Sequence, residues 1–188
     1  MHIISVETKA GKGKTNEDRC GVRENSNSVL VVLADGMGST DCAKEAADIA
    51  VNTIIEEFDV ANPDDSLYGV VFQANEKVTD VSLERGCTMG CAIAALFSNH
   101  DNIWYVALGN VRIYVQDGEK RTCITEDDVY VASNGRTFLT RSISGRDLDG
   151  KVEVKTMSLS GVSKIIMATD GYYNNDTEDD STVVTISL

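Results

Sequence analysis

Val29-Leu30-Val31-Val32-Leu33-Ala34-Asp35-Gly36-Met37-Gly38-Ser39 sets six consecutive apolar residues before an acid and two glycines. A run this short, rich in Val and Leu and bounded by a turn signal, predicts a strand buried on both faces rather than a helix. Asp35 then stands at the strand's exit, where a carboxylate is expensive to desolvate unless it is paired or holds a cation. The glycines beside it admit close approach of backbone or ligand, and an Asx-type turn is the simpler use of the same residues.

The same ending returns far along the chain. Val162 to Thr169 predicts another buried strand, and Met167-Ala168-Thr169-Asp170-Gly171 matches Leu33-Ala34-Asp35-Gly36 in form. If the two strands lie in a pair of sheets with these ends together, two carboxylates converge at one edge. Asn16-Glu17-Asp18 and Glu178-Asp179-Asp180 can join them. Such acids repel one another unless a cation compensates. Oxygen ligands, with His2 and His100 the only imidazoles, favour hard cations such as Mg2+ or Mn2+ over zinc. Solvated acids at strand ends in so acidic a chain are the competing reading, and the residues alone leave both open.

Composition narrows the class. With 188 residues, 42% of them hydrophobic, the chain has apolar content for one well-cored domain over residues 1–188 and is short for two. A formal charge of −13 argues against nucleic acid or an anionic membrane as partner. The five cysteines are odd in number, lack a Cys-x-x-Cys pair and lie mostly among apolar residues, which predicts reduced thiols in a reducing compartment. No secretory pattern or membrane-length apolar run is present, so the cytoplasm is expected.

His2 to Thr8 has the composition of an opening strand and leads into a polar loop from Lys9 to Arg19. Within it, Gly11-Lys12-Gly13-Lys14-Thr15 looks like a phosphate-cradling loop, but Thr8 stands where the first glycine is required and no helical pattern follows. Asp41 is placed to cap a helix reaching about Phe58, with Ala43, Ala46, Ala47, Ala50, Ile54 and Phe58 at helical spacing. Pro63 and Asp64 open a second helix with Leu67, Val70, Val71, Ala74, Val78 and Val81 as its buried stripe, ending near Gly86. Thr88 to Phe97, Ile103 to Leu108 and Val111 to Gln116 predict an antiparallel meander, with Asp117-Gly118 as a hairpin turn. Glu126 to Gly150 is polar and gives no clear element, and its Arg136, Arg141 and Arg146 can offset the negative charge near an anionic substrate, solvation at the surface being their simpler use; Thr182 to Leu188 is the closing strand.

Taken in order, these segments resemble the motifs of the metal-dependent protein phosphatases, the type 2C serine/threonine family, in a short bacterial-like form. Asn16-Glu17-Asp18 is similar to the first acidic motif, Ala34-Asp35-Gly36-Met37-Gly38 to the metal-bridging motif, and Gly86-Cys87-Thr88 to the Gly-Thr motif. Leu108-Gly109-Asn110-Val111-Arg112 and Thr140-Arg141-Ser142-Ile143-Ser144-Gly145 follow, then Thr169-Asp170-Gly171 and Asp179-Asp180-Ser181-Thr182-Val183-Val184. The resemblance implies an α+β fold, a type 2C phosphatase-like β-sandwich flanked by helices (αββα). It implies a phosphatase acting on phosphoserine and phosphothreonine in proteins modified by a cognate Ser/Thr kinase. Two Mn2+ or Mg2+ ions would be bridged by Asp35, with the Gly36 carbonyl on one, Asp170 and Asp179 on the other, and Asp18 acting mainly through metal-bound water. Asp35 and Asp170 would be the catalytic pair, and a metal-bridging hydroxide would attack phosphorus in line without a phosphoenzyme. A cysteine phosphatase is excluded, because no cysteine precedes an arginine at Cys-x5-Arg spacing.

Several positions depart from the family pattern. Asn110 stands where the family has an Asp for a third metal, and a turn is its simpler use. The arginine that binds phosphate just before Asn-Glu-Asp is missing; Lys12 and Lys14 are nearby candidates, offering point charge without a bidentate fork. Met37 replaces a histidine that protonates the leaving group in some members, so water would supply that proton. Between Asp170 and Asp179 only Gly-Tyr-Tyr-Asn-Asn-Asp-Thr-Glu remains of a helical segment, so the second helical layer is reduced. That predicts either a polar outer sheet face or a partner over it, a homo-oligomer of this chain being one such partner. The same departures keep an alternative in view, a pseudophosphatase that binds phosphoproteins as a scaffold. A regulatory phosphatase acting on an anti-sigma antagonist fits the retained motifs less well.

Overall fold

Every residue from Val29 to Ala34 is buried, and the reason lies in alternation. Val29, Val31 and Leu33 point into a core between two sheets, whereas Leu30, Val32 and Ala34 point into a core beneath two helices. A strand covered on both sides has no face left for polar residues, which is why its sequence is continuously apolar.

The computed structural model describes residues 3–148 and 152–188. Its strands in chain order are β1 (Ile3–Lys9), β2 (Arg19–Glu24), β3 (Val29–Gly36), β4 (Cys91–Ser98), β5 (Asn102–Leu108), β6 (Arg112–Asp117), β7 (Lys120–Cys123), β8 (Val129–Val131), β9 (Thr137–Leu139), β10 (Lys155–Ser158), β11 (Lys164–Ala168) and β12 (Ser181–Ser187). The helices are α1 (Ala43–Glu57), α2 (Pro63–Arg85) and the single turn α3 (Asp170–Tyr173). One sheet runs β10-β5-β4-β3-β2 and the other β1-β12-β11-β6-β7, while β8 and β9 form a separate hairpin. Leu96, Ile113, Ile165, Met167, Val184 and Ile186 join Val31 and Leu33 where the two sheets meet.

Both long helices cover the first sheet, as expected, and both are built for close approach. Ala46, Ala47 and Ala50 give α1 a small-residue face, and Gly21 on β2 leaves space that a Cβ would take from Val51, at 2.6 Å. In α2, Pro63 occupies the first turn, and Gly86 ends the helix at φ 63, its N–H donating to the Ser82 carbonyl. Asp41, expected to cap α1, does not: Cys42 is the N-cap residue, and the Asp41 carboxylate accepts instead from the Thr88 hydroxyl at 2.8 Å and the Thr88 N–H at 3.2 Å.

Three further expectations are corrected. The meander breaks after β5, because Gly109 (φ 97) and Asn110 carry the chain across to the other sheet, where β6 pairs with β11 and β7. A Cβ on Gly109 would lie 2.5 Å from that of Ala92, so the crossing depends on glycine. The cysteines are not all reduced: the packing of α1 on α2 brings Cys42 and Cys87 to a Cα separation of 6.4 Å in a disulfide, leaving Cys20, Cys91 and Cys123 free. The strand expected from Thr88 begins only at Cys91.

The polar stretch after Glu126 contains the β8–β9 hairpin and an isolated bridge between Cys91 and Ile143, with Gly150 outside the described residues, as is His2 at the other end. On the outer face of the second sheet, α3 is the only helix present among the described residues. A small apolar patch of Ile166, Ala168 and Val183, flanked by Tyr114 and Tyr173, is surrounded there by Lys9, Arg121, Asp176 and Asp179 around an open cleft of about 850 Å³. The apolar patch on this face is thus small and rimmed by charged residues. No helix of the described residues is long and apolar enough to cross a membrane.

Candidate metal centre and active site

Four segments deliver carboxylates to one end of the seam between the sheets: the start of β2 (Asp18), the end of β3 (Asp35), the start of α3 (Asp170) and the residues leading into β12 (Asp179). The glycine after each repeated Asp is required by crowding. A Cβ on Gly36 would lie 2.8 Å from that of Glu17, and one on Gly171 would lie 2.0 Å from the Asp180 carbonyl oxygen. The shared Asp-Gly ending is therefore a packing device that lets two neighbouring backbones close on the site.

Asp18 is 4% exposed and has one unpartnered oxygen, Oδ1. Its Oδ2 accepts from the Thr169 hydroxyl at 2.9 Å, and burial pushes its carboxyl up to about 6. Burial and the charges of Asp18, Asp170 and Asp179 hold Asp35 well above the usual carboxylate range. Asp35 and Asp170 share a hydrogen bond, and burial together with Asp179 raises Asp170 as well. The Asn110 amide donates to Asp170 Oδ2 at 2.9 Å, the Tyr173 hydroxyl donates to the Asn110 carbonyl at 2.9 Å, and the Arg112 guanidinium stacks 3.9 Å above the Tyr173 ring. Asn110 thus holds a carboxylate of the site in place, beyond making the turn.

This donor set fits hard divalent cations. A cation would relieve the repulsion among these carboxylates and supply the partner that the buried Asp18 oxygen lacks. As the side chains stand, no group of three or more described His, Cys, Asp or Glu residues is arranged to hold a metal ion, and Asp35 bonds to Asp170 directly.

Asp35, Gly36, Asp170 and Asp179 line one cleft of about 470 Å³ together with Met37, Asn110, Phe138 and Arg146. Lys12 and Lys14 are exposed and do not line it, although Lys14 Nζ lies 3.8 Å from Asp179 Oδ1. For three contributors the sequence offered the residue without its contact. Asp180 accepts the Gly11 and Glu17 N–H groups, each at 2.7 Å, and so ties the first acidic loop to β12. Thr169 was quoted only as part of a motif, although its hydroxyl is what meets Asp18. Arg146 lay in a stretch without periodicity, as one of three arginines that could offset negative charge near an anionic substrate, and of the three it is the one that lines this cleft.

Solved structures share this architecture. The serine/threonine phosphatase Stp1 from Staphylococcus aureus superposes with a TM-score of 0.85 at 16% identity, over 100% of this chain and 95% of that one. The S. agalactiae serine/threonine phosphatase gives 0.84 at 19% identity with both chains covered fully. The catalytic domain of the serine/threonine protein phosphatase PstP, solved in complex with two manganese ions, gives 0.78 at 18% identity over 99% and 97%. No curated protein sequence matches. The family model described as protein phosphatase 2C matches residues 7–186, nearly the whole sequence with every carboxylate of the site inside it, and on that match the chain belongs to the protein phosphatase 2C family.

Proposed function

We propose that the chain hydrolyses phosphoserine and phosphothreonine in proteins, working against a Ser/Thr kinase in the cytoplasm, with two Mn2+ or Mg2+ ions held by Asp18, Asp35, Asp170, Asp179 and the Gly36 carbonyl. The observation that carries it is the convergence of four carboxylates from four segments on one seam, with a buried Asp18 oxygen that has no partner. When bound, such ions supply a water-derived nucleophile at neutral pH and neutralise charge on the phosphoryl oxygens.

The residues of the chain divide the remaining work. Asp35 and Asp170 meet from different sheets, so both would serve as ligands that hold the cations, whose charge would relieve the repulsion between the carboxylates. Asn110 and the Tyr173–Arg112 stack fix the Asp170 rotamer, and Thr169 fixes that of Asp18. Met37 lines the cleft without a titratable group, so no proton reaches the leaving oxygen from that position.

Hydrolysis of p-nitrophenyl phosphate and of a phosphothreonine peptide, with and without Mn2+, tests this. Turnover is expected only with the cation, and Asp35→Ala and Asp170→Ala should abolish it. No cation-dependent turnover by the wild-type chain would sink the phosphatase reading and leave a phosphoprotein-binding module.

A further inference from the structure

We propose that Arg146 grips the phosphoryl group of the substrate, and the inorganic phosphate product after it, an inference that rests on the phosphatase reading above. A phosphate monoester carries a charge of about −1.5 to −2 at neutral pH. Four carboxylates and two dications cancel, so a dianion entering the cleft meets no net positive charge from the centre itself. Among the described residues, Arg146 is the one cationic side chain on the walls of that cleft.

Its backbone is fixed from below. The buried Asn75 side chain on α2 donates to the Arg146 carbonyl at 2.9 Å and accepts from the Ser144 and Gly145 N–H groups at 3.1 and 2.9 Å. Gly145 adopts φ +73, and a Cβ there would lie 2.7 Å from the Thr79 hydroxyl, so the turn sits hard against the helix. The side chain itself is exposed and makes no ion pair with a described residue, whereas Arg19, Arg85, Arg112 and Arg141 are engaged by Asp48, Glu45, Asp127 and Asp128. An anchored backbone with an unspent guanidinium facing a carboxylate-lined cleft is suited to a planar, bidentate grip on two phosphoryl oxygens. A solvated surface arginine would need neither the anchor nor the place on the wall.

The test uses the full chain loaded with Mn2+. KM and kcat for p-nitrophenyl phosphate are measured together with the Kd of inorganic phosphate by calorimetry, for wild type, Arg146→Ala, Arg146→Lys and the double variant Lys12→Ala/Lys14→Ala. Arg146→Ala should raise both KM and the phosphate Kd by about 10- to 100-fold, the loss of one charge-assisted bidentate contact. Its kcat should change far less and its melting temperature not at all. Arg146→Lys should recover part of the loss, and the double lysine variant should behave as wild type. A wild-type phosphate Kd in Arg146→Ala, or a loss that follows the lysines instead, overturns the assignment, as does a wild-type chain that binds no phosphate. A chain that binds phosphate through Arg146 but turns nothing over refutes the phosphatase reading alone.

Discussion

Asn75→Ala is the most informative single substitution away from the carboxylates. Asn75 is 9% exposed, and its side chain makes three hydrogen bonds to the turn at Ser144, Gly145 and Arg146. Truncation leaves two N–H donors and one carbonyl without their partner, at about 1 kcal/mol net for each bond. The turn is only partly buried, so water recovers some of this, and the expected loss is about 2 kcal/mol. For a chain of this length that is a fall in Tm of roughly 4–8 °C. Thermal unfolding followed by circular dichroism, with urea titration for the free energy, reads it directly. Asn75→Asp is the control: a carboxylate still accepts from Ser144 and Gly145 but cannot donate to Arg146, so its loss should be about half as large. An Ala variant within about 0.5 kcal/mol of wild type, the range of an ordinary surface change, or an Asp variant as damaged as the Ala one, would refute the anchoring argument.

Asp18→Asn tests the strain in the cation-free centre. The folded chain raises the Asp18 carboxyl from 3.8 to about 6, so its stabilising contribution is complete below 3.8 and disappears as pH rises through about 6. By pH 7 the ionised group costs about 3 kcal/mol. In chelator, wild-type stability should therefore fall between pH 4 and 7 and the Asn variant should fall less, with Mn2+ restoring wild type preferentially; parallel urea profiles would contradict this. Gly109→Ala forces a side chain into φ 97 and against Ala92, and should destabilise by about 3 kcal/mol in the same assay. Thiol titration of the denatured, unreduced protein should count three groups, rising to five on reduction, with exposed Cys123 reacting first in the native state; five thiols before reduction would exclude the Cys42–Cys87 bond.

Much of this was legible in the chain because burial writes itself into periodicity. The β3 run, the α2 stripe between Pro63 and Gly86, and the Asp-Gly ending at both Asp35 and Asp170 each carry a local signal strong enough to stand without tertiary context. β2 and β10 carry none, since they are edge strands with mixed polar faces; β2 pairs with the adjacent β3 and β10 with the sequence-distant β5, while β7 is announced only by the Asp117-Gly118 turn before it. The crossing at Gly109 has the composition of a hairpin, and only the packing of Ala92 beneath it reveals a change of sheet. Cys42 and Cys87 are 45 residues apart and meet only because α1 docks on α2. In the site, the acids were visible as residues, whereas the groups that aim them, Asn110, Thr169 and Asp180, and Asn75 beneath the Arg146 turn, act through contacts that no spacing encodes.

The short connection after α3 has a consequence for how the chain can be extended. Asn174 to Glu178 are all exposed, Asn175 already turns through φ 55, and the segment begins and ends beside carboxylates of the centre. Added length in such a loop raises closure entropy only logarithmically, about 0.6 kcal/mol for each doubling. The position is therefore a natural graft point: a folding or ligand-binding module inserted between Asn174 and Asn175 would find open surface above it and, below it, the spacing of Asp170 and Asp179 to pull on. A chain with so short a connection is also a host in which control by an inserted module needs no new route to the centre.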